Sequence, residues 1–216
     1  MITILGWFLF YTICISFTLF VFANFFEWGL HRYVMHKRVK GFEYPFKKHA
    51  MVHHQIFKAD ETYHLINMKD KETIPMAWWN GPALIIVGFL MSLPFSFLFH
   101  TNLIWWDALV IFTGYYGAYE YLHMCMHLPK RRRLEFSRAF RLINGHHLLH
   151  HRYQGKNFNV VCPLADFCMG TLILRSKIKF PQATGPSVPD VQPVLKKLPE
   201  ASVVKQRKKI VFLELP

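Results

Sequence analysis

Eleven of the thirteen histidines in this 216-residue chain fall in four short clusters. They read His31-Arg-Tyr-Val-Met-His36, His49-Ala-Met-Val-His53-His54, His123-Met-Cys-Met-His127 and His146-His147-Leu-Leu-His150-His151. Only His64 and His100 lie outside them. Neutral imidazole is the commonest protein ligand for transition metals, and iron and zinc both accept it. A lone histidine is most often a polar core or surface residue. Four clusters at helical spacing point to metal coordination instead.

Residues three and four apart share one face of an α-helix. His123 and His127 therefore project together, His49 pairs with His53, and His147 pairs with His150 and His151. Adjacent members of a doublet point about 100° apart, which suits two ions or one residue acting on a neighbouring ion. His31 and His36 are five apart and do not align on an ideal helix, so a helix end, a π-bulge or a loop is expected there. Ten imidazoles exceed the roughly four to six ligands that one ion takes, so they suit two ions in one compact cavity. No carboxylate lies within the clusters, which excludes both the Glu-x-x-His di-iron pattern of soluble four-helix bundles and the HExxH zinc-protease pattern. Glu27, Asp60, Glu61, Glu120 and Asp166 are the acidic residues that could orient imidazole N–H groups; Glu27 precedes His31 by four residues and Glu120 precedes His123 by three.

The elements that must position these side chains are mostly apolar. Hydrophobic residues make up 52% of the chain and Phe contributes 21 residues, above the norm for soluble domains. Residues 2–26 form an almost unbroken apolar run, longer at about 1.5 Å per residue than a bilayer core of about 30 Å. The run has no basic leader and no small-residue cleavage site, so it reads as a retained anchor. A second apolar region, 82–122, divides at His100-Thr101-Asn102 into a helical hairpin, with Pro94 predicting a kink in its first arm. Trp78, Trp79, Trp105 and Trp106 fall near the predicted span ends. The expected fold is therefore all-α, an integral membrane helical bundle with about three transmembrane helices and a cytoplasmic histidine-rich helical cap. Its boundaries are a membrane-embedded catalytic domain at 1–175 and a basic, Pro-containing cytoplasmic tail at 176–216.

Charge supports that layout. The chain carries 26 Lys plus Arg against 13 Asp plus Glu, a formal +13. No basic residue precedes Arg32 and none lies between Lys71 and Lys130, so the positive charge flanks the apolar segments. This is a topology signal and argues against a nucleic-acid partner. A hairpin crosses and returns, so all four clusters share one side of the membrane, and the positive-inside rule makes that side cytoplasmic, in a bacterial inner membrane or an endoplasmic reticulum. Lys130-Arg-Arg-Arg133 reads as a membrane-surface anchor, with docking of an acidic electron donor as the functional alternative. Tyr115, Tyr116, Tyr119 and Tyr121 read as helix packing, with lining of a substrate path as the alternative. The cysteines Cys14, Cys125, Cys162 and Cys168 show no CxxC pair and read as free thiols.

A histidine-rich site beneath a hydrophobic bundle suits a long apolar substrate taken from the bilayer. An unactivated C–H bond resists acid–base chemistry and needs an oxidant made from dioxygen, which two irons can supply. The order HxxxxH, HxxxHH, HxxxH, HxxHH resembles the fatty acid hydroxylase and sterol desaturase superfamily of integral-membrane di-metal oxygenases. Residues 26–36 look like its first box, and 147–151 with 155–171 look like its last box and closing segment. The resemblance implies His31, His36, His49, His53, His54, His123, His127, His147, His150 and His151 as ligands of two iron ions, with His146 as the alternative to His147. It implies O2 as co-substrate, zinc as a substitute in purified protein, and, since no His-Pro-Gly-Gly run marks a fused haem domain, an external electron-donor protein. Two residues between the histidine and the doublet of the second box would be more usual in lipid 2-hydroxylases; here there are three. Hydroxylation of a fatty acyl or related lipid chain is the leading expectation. Sterol or carotenoid oxidation, or desaturation, is the alternative on the same site. From other classes come a non-oxidative metal-binding membrane protein and a zinc-dependent lipid hydrolase.

Overall fold

A computed structural model describes residues 4–76 and 79–174, with side chains from Gly6 onward. All regular structure among these residues is helical. The α-helices are α1 (Ile4–Leu30), α2 (Tyr44–Phe46), α3 (His54–Ile56), α4 (Asn80–Leu98), α5 (Leu103–His127), α6 (Arg138–Arg152) and α7 (Leu164–Cys168). Two π-helical segments, His31–Met35 and Lys47–His53, continue α1 and α2 without a break. The tail expected at 176–216, and Trp78, lie outside the described residues.

Two helices are long and apolar enough to cross a membrane: Gly6–Met35, which takes in α1 and its π-helical extension, and α4. α5 is comparably long but carries Asp107, Glu120 and two histidines, and it does not reach the same hydropathy. Large apolar side chains stand exposed along the first two, including Phe10, Ile13 and Phe17 on α1 and Leu90, Phe95 and Phe97 on α4. α4 runs through Pro94 as one helix.

The α4–α5 hairpin turns at the expected residues. His100 takes the left-handed conformation (φ 50°), and the amides of His100 and Thr101 donate back to the carbonyls of Phe97 and Ser96. Those two bonds satisfy carbonyls that the helix end would otherwise strand. Close approach of the two arms depends on Gly88, where a Cβ would come within 2.5 Å of the Phe112 ring, and on Gly81, whose Cβ would meet the Tyr116 ring.

α5 also packs against α1. Ala23, Ala108, Phe112 and Tyr115 form the buried seam between them. Polar residues in this seam are paired, as a helix pair shielded from water requires. The Ser16 hydroxyl donates to Asp107 (3.2 Å), and the Asn24 side-chain amide donates to the Tyr115 hydroxyl (2.8 Å), which in turn donates to Glu27 (2.5 Å). Asn24 further receives the Ala165 amide at 2.7 Å and so ties α1 to α7. All four cysteines are free, with Cys125 alone buried.

Beyond the helices, residues 157–171 close into a compact turn around Asp166. Its carboxylate accepts the amides of Phe158 (2.9 Å) and Asn159 (2.7 Å), the Thr171 hydroxyl (2.6 Å) and the His146 ring (3.0 Å). Burial alone would raise this carboxyl, but the hydrogen bonds outweigh it and hold it below the usual carboxylate range.

Candidate metal centre

The ten clustered histidines carried forward from the sequence divide into two groups of five. His31, His36, His49, His54 and His150 form one; His53, His123, His127, His147 and His151 form the other. Within each group the nearest ligand nitrogens all lie within 4.8 Å of one another. Nine of the ten are buried and His36 is half-buried.

Local helix geometry explains the division. In an α-helix, residues five apart sit about 140° off one face. In the first group both spaced pairs are five apart, and both lie on π-helix. The His36 amide donates to the His31 carbonyl at 3.1 Å, and the His54 amide donates to His49. That i→i+5 bond stacks the fifth residue over the first, the arrangement that defines the π-helix and recurs at functional sites. In the second group both pairs, His123 with His127 and His147 with His151, are four apart on the regular helices α5 and α6. Each group then borrows its fifth member from a doublet on the other's side: His150 joins the π-helical group and His53 joins the α-helical one. The expected pairing of His49 with His53 is therefore corrected to His49 with His54, and His147 pairs with His151 but not His150.

Ring orientation comes from backbone carbonyls. In the first group, Nδ1–H of His31 donates to Phe158 and that of His150 donates to Lys156 (2.7 Å). In the second, His151 donates to Phe57 (2.5 Å), His127 to Tyr63 (2.8 Å) and His53 to Thr73 (3.2 Å). A carbonyl only accepts, so each of these rings carries its proton on Nδ1 and presents a bare Nε2 lone pair. The two groups are thus aimed by different chain segments. Residues 156–158, anchored by Asp166, serve the first; residues 57–73 serve the second.

Of the acidic residues singled out in the sequence, Asp166 holds an imidazole, that of His146, and the other four do other work. Glu27 accepts the Val160 amide (2.5 Å), the Asn159 side-chain amide (3.1 Å) and Tyr115, while Glu120 accepts the Met76 amide (3.1 Å). Asp60 caps a short helical turn by accepting the Thr62 amide, and Glu61 is exposed. Asp166 binds His146, and this contact settles which neighbour joins the group: His146 turns to the carboxylate and His147 turns inward. His64 donates to the Met126 carbonyl outside both groups. In the basic run, Arg132 is held by Glu135 (2.5 Å) and the Leu128 carbonyl (3.1 Å), which gives it a structural task at the end of α5.

The donor set fits a cation in each group. Nε2 of His147 lies 3.2 Å from that of His127 and 3.0 Å from that of His151, both of which have committed their protons to carbonyls. His147 can donate to one at most, which leaves another lone pair facing a lone pair. His150, whose own proton is committed to Lys156, presents a bare Nε2 toward those of His36 (3.0 Å) and His54 (3.1 Å). Nε2 of His53 and of His123 is buried without any hydrogen-bond partner. A shared cation converts this unfavourable convergence of acceptors into coordination. Burial, reinforced by neighbouring imidazoles, pushes His49, His53, His54, His147 and His151 well below the usual histidine range, His36 to about 3 and His150 to about 4. They are neutral at physiological pH and ready to coordinate without losing a proton.

A cavity of about 480 Å³ reaches both groups. It touches His31 and His49 of the first and His53 and His123 of the second, and its other walls are mainly apolar side chains of α1, α4 and α5. Tyr115, Tyr116 and Tyr119 line it, whereas Tyr121 does not. Comparison with protein-family models, with curated proteins and with solved structures found no match.

Two results should follow. The double variant His31→Ala/His36→Ala and the double variant His123→Ala/His127→Ala should each lower bound metal from two ions per chain to one, measured by elemental analysis of reconstituted protein. Loss of all metal in both variants would mean a single shared centre. Because the folded pKa values are depressed, the unfolded chain binds more protons below about pH 6.5, so stability of the metal-free protein should be full above that pH and decline as pH falls toward about 4. Thermal unfolding across this range checks it; a midpoint that rises on acidification contradicts it.

Proposed function

We propose that the protein is a membrane-bound, two-iron, O2-dependent oxygenase that hydroxylates a fatty acyl or related lipid chain. The observation that carries this reading is the meeting of two five-imidazole groups with one apolar cavity running into the helical bundle. The four-box resemblance to the fatty acid hydroxylase and sterol desaturase superfamily supports it. In the same reading α5 is a third span beside α1 and α4, and the histidines lie on the cytoplasmic side with the basic residues.

The bound irons would supply the redox chemistry that activates dioxygen and attacks an unactivated C–H bond. In the overall reaction one oxygen atom enters that bond and the other leaves as water, with two electrons and two protons from an external donor protein. The chain's own residues do the rest. Backbone carbonyls at 57, 63, 73, 156 and 158 hold five imidazoles at fixed orientation, which spares reorganisation when the irons change charge. The apolar walls contributed by α1, α4 and α5 strip water from the substrate and keep it from the reacting carbon. A zinc hydrolase uses three protein ligands and an open water position, which would leave most of the ten imidazoles without a role.

Growth under 18O2, followed by lipid mass spectrometry with and without the gene, tests the proposal. The expected result is one labelled oxygen in a lipid product, lost when His123 is replaced by alanine. An unlabelled product, or activity that persists without O2 and is supported by zinc alone, would favour a hydrolase. An unchanged lipid profile would favour a non-oxidative metal protein.

A further inference from the structure

The cavity's far end is as well defined as its histidine end. Tracing its lining along each helix away from the histidines, α1 contributes residues as far as Ala23, α4 as far as Val87 and α5 as far as Phe112. On α5, Phe112 lies eleven residues before His123, about 16 Å along the axis; on α1, Ala23 lies eight before His31, about 12 Å. These three are the lining residues farthest along their helices from the histidines. The Phe112 ring is itself immobilised. It lies against the bare backbone of Gly88 and meets Phe22 and Phe26 edge-on at centroid distances of 6.0 and 6.3 Å.

The walls above this floor offer little to a polar ligand. Phe26 and Leu30 of α1, Val34 of its π-helical extension, and Ala83 and Leu84 of α4 line them. The Tyr115 hydroxyl is already committed, receiving from Asn24 and donating to Glu27. Glu27, also in the lining, is committed to Tyr115, Asn159 and Val160, whereas Lys48, Glu72 and Asn80 join the histidines at the opposite end.

We infer that the cavity is a ruler for one linear alkyl chain, inserted methyl end first, with Ala23, Val87 and Phe112 as the stop that sets how many carbons lie between the methyl end and the histidines. The oxidised position is therefore counted from the methyl end. The head group of the ligand stays near Lys48 and Asn80. The count rests on the oxygenase reading above; the length limit does not.

Binding of a radiolabelled homologous series of 1-alkanols to the full metal-free chain in nanodiscs isolates the length limit. Free ligand is measured in the aqueous phase and empty nanodiscs are subtracted. Affinity should rise about fourfold per methylene, the fold-change corresponding to about 0.8 kcal/mol per buried CH₂, and then break to a plateau once the chain exceeds the cavity. Phe112→Ala should move the break to longer chains and Ala23→Leu to shorter ones. An uninterrupted rise in the unsubstituted protein overturns the ruler, as does a break that both variants leave in place; the first result needs no variant to fold. In the 18O2 assay, Phe112→Ala should move the label further from the methyl end. A break in binding without any labelled product would preserve the ruler and reject the oxygenase.

Discussion

Everything in this structure depends on aiming imidazole lone pairs, and a histidine ring is aimed only when its other nitrogen is held. Five rings are fixed through Nδ1 to backbone carbonyls, which cannot move without moving the chain. Backbone acceptors are neutral, so they fix the tautomer without adding negative charge to the centre. The result is two groups of nitrogens converging in a buried volume, an arrangement that is costly for the bare protein and favourable with cations bound.

The two groups are alike in number but not in construction. One is assembled on π-helix and steadied by the turn around Asp166; the other is assembled on α5 and α6 and steadied by residues 57–73. Asp166 occupies a particular place in this scheme. It holds the amides of Phe158 and Asn159, the carbonyl of Phe158 holds His31, and its bond to His146 fixes α6 one residue before His147. A single buried carboxylate thereby acts on the first group through the turn and on the second through the helix. The doublets His53-His54 and His150-His151 interlock the groups, since adjacent residues serve different ones.

Much of this was legible in the sequence, and the losses have physical causes. Counting imidazoles pointed to more than one group, the set of ten came from the four-box resemblance, and the odd five-residue spacing of His31 and His36 pointed to a π-bulge or helix end. The second box offers both a four-residue spacing, His49 to His53, and a five-residue one, His49 to His54. The i→i+4 rule then selected His53 as the partner of His49, but the chain adopts π-helix there and selects His54. The choice between His146 and His147 needed the position of Asp166, twenty residues away. The orienting groups were invisible because backbone carbonyls have no residue type; Glu27 and Glu120, at helical spacing from His31 and His123, satisfy amides and a tyrosine instead. The hairpin at His100 was legible from a polar break in an apolar run, whereas the cavity floor arises from packing among α1, α4 and α5 that no local pattern encodes.

The central claim is that one chain holds two distinct metal ions, each surrounded by imidazoles. Mössbauer spectroscopy of full-length protein reconstituted anaerobically with 57Fe tests it most directly. The account predicts two iron atoms per chain, resolved as two quadrupole doublets of equal area because the π-helical and α-helical groups differ in geometry. A single iron per chain, whatever its ligands, would contradict it.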